Sequence, residues 1–192
     1  DLRQPQIKTG SYVDRLNNIF ANPNKHTLDK NVNHENRTNN AKVRARFRIY
    51  QIMTRLQKNE SAEISKYLKS EGATGISSKT LQKLKQNWIL NLDGEMISNP
   101  QEREVLGLLS SLYTKKQTQR ALQANLPAPA ALSIPDDACH YHESIETLRT
   151  LTVREMARIQ SFPDWYRIRS KVTTGGQMRK FEVPQYTQIG NA

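Results

Sequence analysis

Cys139, His140 and His142 are the residues whose types and spacing come nearest to nucleophilic or metal chemistry. A thiol nucleophile needs a setting that favours the thiolate, and a zinc site needs a complete set of ligands, commonly two paired clusters. Cys139 follows Ala138, and no second cluster accompanies it, so it reads as a small buried thiol and the histidines as an incomplete ligand set. Neither a catalytic residue nor a metal is expected. Gly175-Gly176 is a lone pair in a polar turn, not a loop that cradles phosphate.

The segment of residues 149–164 is more specific. Thr152 and Glu155 have the spacing of a capping box, in which the hydroxyl accepts from a first-turn amide and the carboxylate accepts from the Thr152 amide. Leu151 precedes the cap and Met156 lies at the fourth helical position, which permits a hydrophobic staple. Pro163 ends the pattern, so a short helix is expected over residues 153–160, with Arg154 and Arg158 on one face.

Other elements must position these residues. The first forty residues are polar and rich in Asn, and read as turns and irregular chain whose order depends on packing against something else. A helix is expected over residues 41–57, apolar around most of its circumference. Arg44, Arg48, Gln51, Arg55 and Lys58 fall on its remaining stripe, which reads either as a solvated face or as a row of phosphate contacts. Two shorter helical patterns over residues 61–71 and 77–87, with Ser61 and Ser77 as their caps, flank a Gly72–Gly75 turn. They resemble a helix-turn-helix with Lys79, Thr80, Gln82, Lys83 and Lys85 on its second helix, though the signal is weak and plain helical packing is the stronger reading. Residues 88–92 read as a short strand or a frayed helix end. Residues 99–123 read as a further helix, with Pro100 in its first turn, broken by the Pro127–Pro129 region. Beyond it, residues 130–134 and 139–142 read as short extended segments.

The chain of 192 residues carries a net charge of +11 and a pI near 9.9, which suits one domain with a polyanionic partner, most economically nucleic acid. Hydrophobic residues make up 36%, so the core should be small. No apolar run is long enough to cross a bilayer, so no membrane partner is expected. A single cysteine excludes an internal disulfide and fits a reducing compartment. The chain opens on Asp1 and ends at Ala192, and both ends read as cuts.

The string Arg149-Thr150-Leu151-Thr152, Arg154-Glu155, Arg158, Gln160 and Phe162-Pro163 resembles the ninth conserved block of DNA (cytosine-5) methyltransferases. Some twenty residues later, Gln185-Tyr186-Thr187-Gln188-Ile189-Gly190-Asn191-Ala192 resembles the start of the tenth. The resemblance covers the last 45 or so residues closely and is looser from Pro127. It implies an α+β fold: a small mixed recognition lobe, here residues 1–192, beside a Rossmann-like catalytic lobe that is absent from this chain. Residues 1–40 would be the irregular leading segment, 41–126 the helical variable recognition region, and 127–192 the return strands, ninth-block helix and start of the tenth block.

The resemblance further implies methyl transfer from S-adenosylmethionine to carbon 5 of a cytosine flipped out of the duplex. The proline-cysteine nucleophile, the glutamate and most of the cofactor site would belong to the other lobe. Gly190, Asn191 and Ala192 would close one side of the cofactor pocket. Arg149, Thr152, Arg154, Glu155, Arg158 and Gln160 would brace the recognition lobe against the catalytic lobe. Double-stranded DNA would meet Arg44, Arg48, Arg55, Lys58, Lys79, Thr80 and Lys83, with Ser133 a substitute for the threonine that many relatives carry where Ala131 stands here. The implied setting is a monomer in a prokaryotic cytoplasm, associated with the nucleoid. The alternatives are a non-catalytic subunit of a split methyltransferase and a helix-turn-helix regulator.

Overall fold

A computed structural model of the chain describes residues 32–70, 75–128, 138–173 and 181–191. Ser133, Ala192, the extended segment at 130–134, Gly72 to Thr74 and the Gly175-Gly176 turn lie outside the described residues, as do residues 1–31. The described residues are largely helical with strands of two residues each, an α+β arrangement. They divide into two compact units: residues 37–127 with 138–150, and residues 32–36 with 151–173 and 181–191.

The larger unit is organised by α1 (Ala41–Met53). Asn40 caps it, its Oδ1 accepting from the Val43 amide at 2.9 Å. Every residue from Ala45 to Ile52 is buried, as a helix enclosed on nearly all sides requires. The helix stops four residues short of the expected Gln57. Thr54 Oγ1 turns back to the Gln51 carbonyl at 2.7 Å, and Gln57 takes an extended conformation to start α2 (Lys58–Lys69). The Gln57 amide donates to Glu60 Oε2 at 3.0 Å, so this pair begins the second helix instead of the Ser61 cap expected from sequence.

Ser77 caps α3 (Ser78–Lys85), as expected. Strands β1 (Ile89–Leu90) and β2 (Met96–Ile97) then pair antiparallel, Ile89 opposite Ile97 and Leu90 opposite Met96. Their turn is held by Asn91 Oδ1, which accepts from the Asp93 and Glu95 amides at 3.0 and 2.8 Å. Gly94 supplies the φ of +93° that the turn requires.

Helix α4 (Glu102–Ser111) is less than half the length expected for residues 99–123. Its end is fixed from α1: the buried Arg46 guanidinium donates to the carbonyls of Leu112 and Tyr113 at 3.0 and 3.4 Å and to Gln119 Oε1 at 3.4 Å. A cation over the last carbonyls of a helix satisfies them and opposes the helix dipole. The chain then turns into β3 (Arg120–Ala121), which pairs parallel with β4 (Ala138–Cys139). The core collects Phe47, Ile49 and Ile52 of α1 with Ile64 and Leu68, Leu81 and Leu84, Ile89 and Leu90, Val105 and Leu109, and Cys139. Both α2 and α3 pack on α4, so the expected helix-turn-helix pair is a pair of helices sharing a third.

The smaller unit contains α5 (Val153–Ile159), packed on α6 (Gln185–Gly190). The capping box forms as expected: Thr152 Oγ1 accepts from the Glu155 amide at 3.2 Å and Glu155 Oε2 accepts from the Thr152 amide at 2.7 Å. The helix ends through Ser161, at a left-handed φ of +67°, and Phe162, whose amide donates to Ala157 O at 3.0 Å.

Candidate functional site

The expected row of cations on α1 does not form. Arg48 is 1% exposed; its guanidinium lies 3.9 Å from the centre of the Trp88 ring and donates to Trp88 O at 3.0 Å and Glu143 Oε1 at 3.3 Å. Gln51 is buried as well, its amide donating to the His140 and His142 carbonyls at 2.9 and 2.6 Å. This face of α1 therefore secures the loop after β4, and Arg48, expected to contact DNA, is buried against Trp88 and Glu143. Arg44 is half-buried and donates to Ile145 O at 3.4 Å; Arg55 is exposed and forms an ion pair with Glu143. The structure thus brings Arg44, Arg48 and Arg55 to one loop. Lys58 lies apart, exposed at the start of α2, with no ion pair among the described residues.

On α3, Lys83 lies 2.8 Å and Lys79 3.6 Å from Glu60 Oε1, a carboxylate on α2 that Lys83 above all holds below the usual carboxylate range. Thr80, also expected to contact DNA, is fully buried, donating its amide to Ser77 Oγ at 3.3 Å. The outward residues of α3 are Lys79 and Gln82, with Lys85 half-exposed.

In the smaller unit the ninth-block residues are occupied by the unit itself. Arg154, 2% exposed, donates to Pro163 O at 3.2 Å, Tyr166 O at 2.7 Å, Val32 O at 3.3 Å and Asn33 Oδ1 at 3.3 Å. Asn33, at φ +66°, passes the network on: its Nδ2 donates to Ile168 O at 2.9 Å and Gln185 Oε1 at 3.0 Å, while Gln185 Nε2 donates to Ser170 O at 2.6 Å. Arg158 grips Asp164 through two hydrogen bonds of 2.8 and 3.1 Å, and Gln160 is the C-cap of α5. Arg149 belongs to the larger unit, where it is buried and donates to Thr150 O at 2.9 Å.

Two participants escaped the sequence reading: Asn33 and His34, whose Nδ1 lies 3.2 Å from Thr152 Oγ1. Burial first, then the Arg158 charge, lower the His34 pKa. The sequence signal for Asn33 and His34 is the density of Asn before α1, which gives no hint of partners more than a hundred residues away, and Gln185 was expected only as part of the tenth block.

Gly190 closes α6 and Asn191 is its exposed C-cap. The Asn191 side chain makes no hydrogen bond among the described residues, so it keeps a donor and an acceptor for a ligand; Thr187, one turn earlier, has a buried hydroxyl that also has no partner among them. This donor set fits one edge of a polar cofactor. Cys139 does not fit a nucleophile: it is fully buried, and burial pushes its thiol far above the range in which a thiolate forms. Among the described residues no group of three or more His, Cys, Asp or Glu could hold a metal, and no helix is long and apolar enough to cross a membrane.

Comparison with known proteins identifies the class. Residues 3–192 match the family described as C-5 cytosine-specific DNA methylase, and the chain belongs to that family. It is similar to the type II methyltransferase M.Bpa9945I of Bacillus paralicheniformis, 52% identical over 58 residues, which are 28% of this chain and 10% of that protein. It is also similar to the type II methyltransferase M.AquIB of a Picosynechococcus species, 38% identical over 77 residues, 39% of this chain and 52% of that one. The matched parts span only 10% and 52% of these relatives. No solved structure matches the chain.

Proposed function

We propose that this chain is the target-recognition part of a DNA (cytosine-5) methyltransferase, holding duplex DNA for a catalytic lobe that supplies the nucleophile. One observation carries the reading: a chain of this family has its single cysteine sealed in a core, behind Ala138, with its thiol pushed up by burial. A buried thiol cannot reach carbon 6 of a flipped cytosine, so the attack falls to a cysteine of the partner lobe.

S-adenosylmethionine supplies the methyl group when bound, and in this chain Gly190 and Asn191 would form one edge of its pocket, Ala192 adjoining them. Lys58, Lys79, Arg44 and Arg55 would meet backbone phosphates; Arg55 exchanges its Glu143 partner for a phosphate, and Lys83 remains tied to Glu60. Thr152, Arg154, Glu155, Arg158 and Gln160 keep the ninth-block helix and its following loop rigid, so that the surface offered to the catalytic lobe is preorganised. The parent would act in a prokaryotic cytoplasm.

Incubation of the chain with labelled S-adenosylmethionine and DNA should give no methyl transfer, while duplex DNA is bound in a strongly salt-dependent manner. Transfer by the isolated chain would sink the assignment of the chemistry to another lobe. A second reading, a separately encoded subunit complementing a catalytic chain, is favoured by one fact: 77 matched residues make up 52% of M.AquIB, so that methyltransferase is itself a shorter chain than this one. The parent reading frame separates the two. A proline-cysteine motif upstream in the same frame supports a single chain, and an initiator codon just before Asp1 supports the subunit.

A further inference from the structure

With Arg48 turned inward, the charge on the outside of α1 is smaller than its sequence suggests, yet the same helix contributes Tyr50 and Met53 to a groove of about 530 Å3. The groove is bounded by α2 and by the segment running into β3. Its described lining contains three cations, Lys58, Lys69 and Arg120, and no Asp or Glu. Neither Lys69 nor Arg120 has a carboxylate partner among the described residues: Lys69 Nζ donates to Gln117 O at 2.6 Å and Arg120 Nε to Thr118 O at 3.3 Å. Burial and then the neighbouring Arg120 charge lower the Lys69 pKa. Tyr50, 2% exposed, adds a buried hydroxyl that has no partner among the described residues.

A cleft that holds cations together without a counter-charge has lower energy when an anion enters it. Its volume is several times that of a single phosphate ion, and its lining is mostly hydroxyls and amides, which suits a run of sugar-phosphate more than a compact anion. We propose that this groove seats the backbone of a nucleic-acid strand, with Lys58, Lys69 and Arg120 on its phosphodiesters. The proposal rests on the recognition reading above and moves part of the phosphate contact from the α1 arginines to the groove between α1, α2 and β3.

The test measures binding of the 192-residue chain to a fluorescent duplex over a series of salt concentrations. Each phosphate contact contributes about 0.9 to the slope of log K against log salt, so Lys69→Gln and Arg120→Gln should each lower the slope by about 1 and weaken different duplexes alike. Lys69→Arg should keep the slope. Lys66→Gln, on the same helix but outside the groove, should leave it unchanged. Thermal melts of each variant separate loss of a contact from loss of fold. Unchanged slopes in folded Gln variants, with wild-type binding intact, would overturn the groove and leave the recognition reading standing. Failure of the wild-type chain to bind any duplex would overturn both. Loss of slope in Lys66→Gln equal to that in Lys69→Gln would also overturn the groove, since diffuse charge would then explain the binding.

Discussion

His34 shows how a single side chain can tie stability to pH. It stands against Thr152 with Arg154 and Arg158 as cationic neighbours and Glu155 and Asp164 as anionic ones; burial is the largest influence and lowers its pKa below 6.5. The unfolded chain therefore binds the proton more readily than the folded one. The resulting stability is complete above pH 6.5 and is lost as the pH falls through the lower folded value. The melting temperature of the smaller unit should accordingly fall on mild acidification, and His34→Gln should flatten that dependence. A wild-type profile that rises on acidification would contradict this account. Arg154 belongs to the same scale: it engages two loop carbonyls, the Val32 carbonyl and the Asn33 side chain, so its charge is wholly spent inside the fold.

At the scale of elements, two caps were legible and lengths were not. Thr152 with Glu155, and Ser77, are local signals three residues or fewer in span, and each starts a helix where the spacing predicts. Thr152→Ala should cost about 1 kcal/mol, read as a shift in the urea midpoint, and Thr152→Ser should restore most of it. A null effect would mean that packing alone fixes α5. The ends of helices depend on distant residues. Helix α4 stops because Arg46, far earlier in the chain, takes its last carbonyls, and α1 stops because Gln57 and Glu60 begin another helix. The inward turn of Arg48 was hidden for the same reason, since Trp88 and Glu143 lie 40 and 95 residues away. Periodicity assigns a residue to a face, but whether that face meets water or another segment is a tertiary fact.

For the whole molecule, the net charge of +11 and family membership point the same way, towards a duplex polyanion. On the proposed reading the carboxyl-terminal block carries a different task from the basic helices, and the two can be tested separately. In the complete enzyme, Asn191→Ala should weaken S-adenosylmethionine binding several-fold while leaving duplex affinity nearly unchanged, as followed by calorimetry of each ligand. A larger loss of DNA affinity than of cofactor affinity would remove Asn191 from the pocket edge.

The sealed thiol of Cys139 has a further consequence. As the chain's one sulfhydryl, held against the α1 backbone with its Sγ 4.0 Å from Phe47 O, it is shielded from alkylating reagents whenever the larger unit is closed. The speed at which iodoacetamide marks the protein then counts its transient openings. The molecule carries its own clock for breathing, readable by mass in the presence and absence of a duplex.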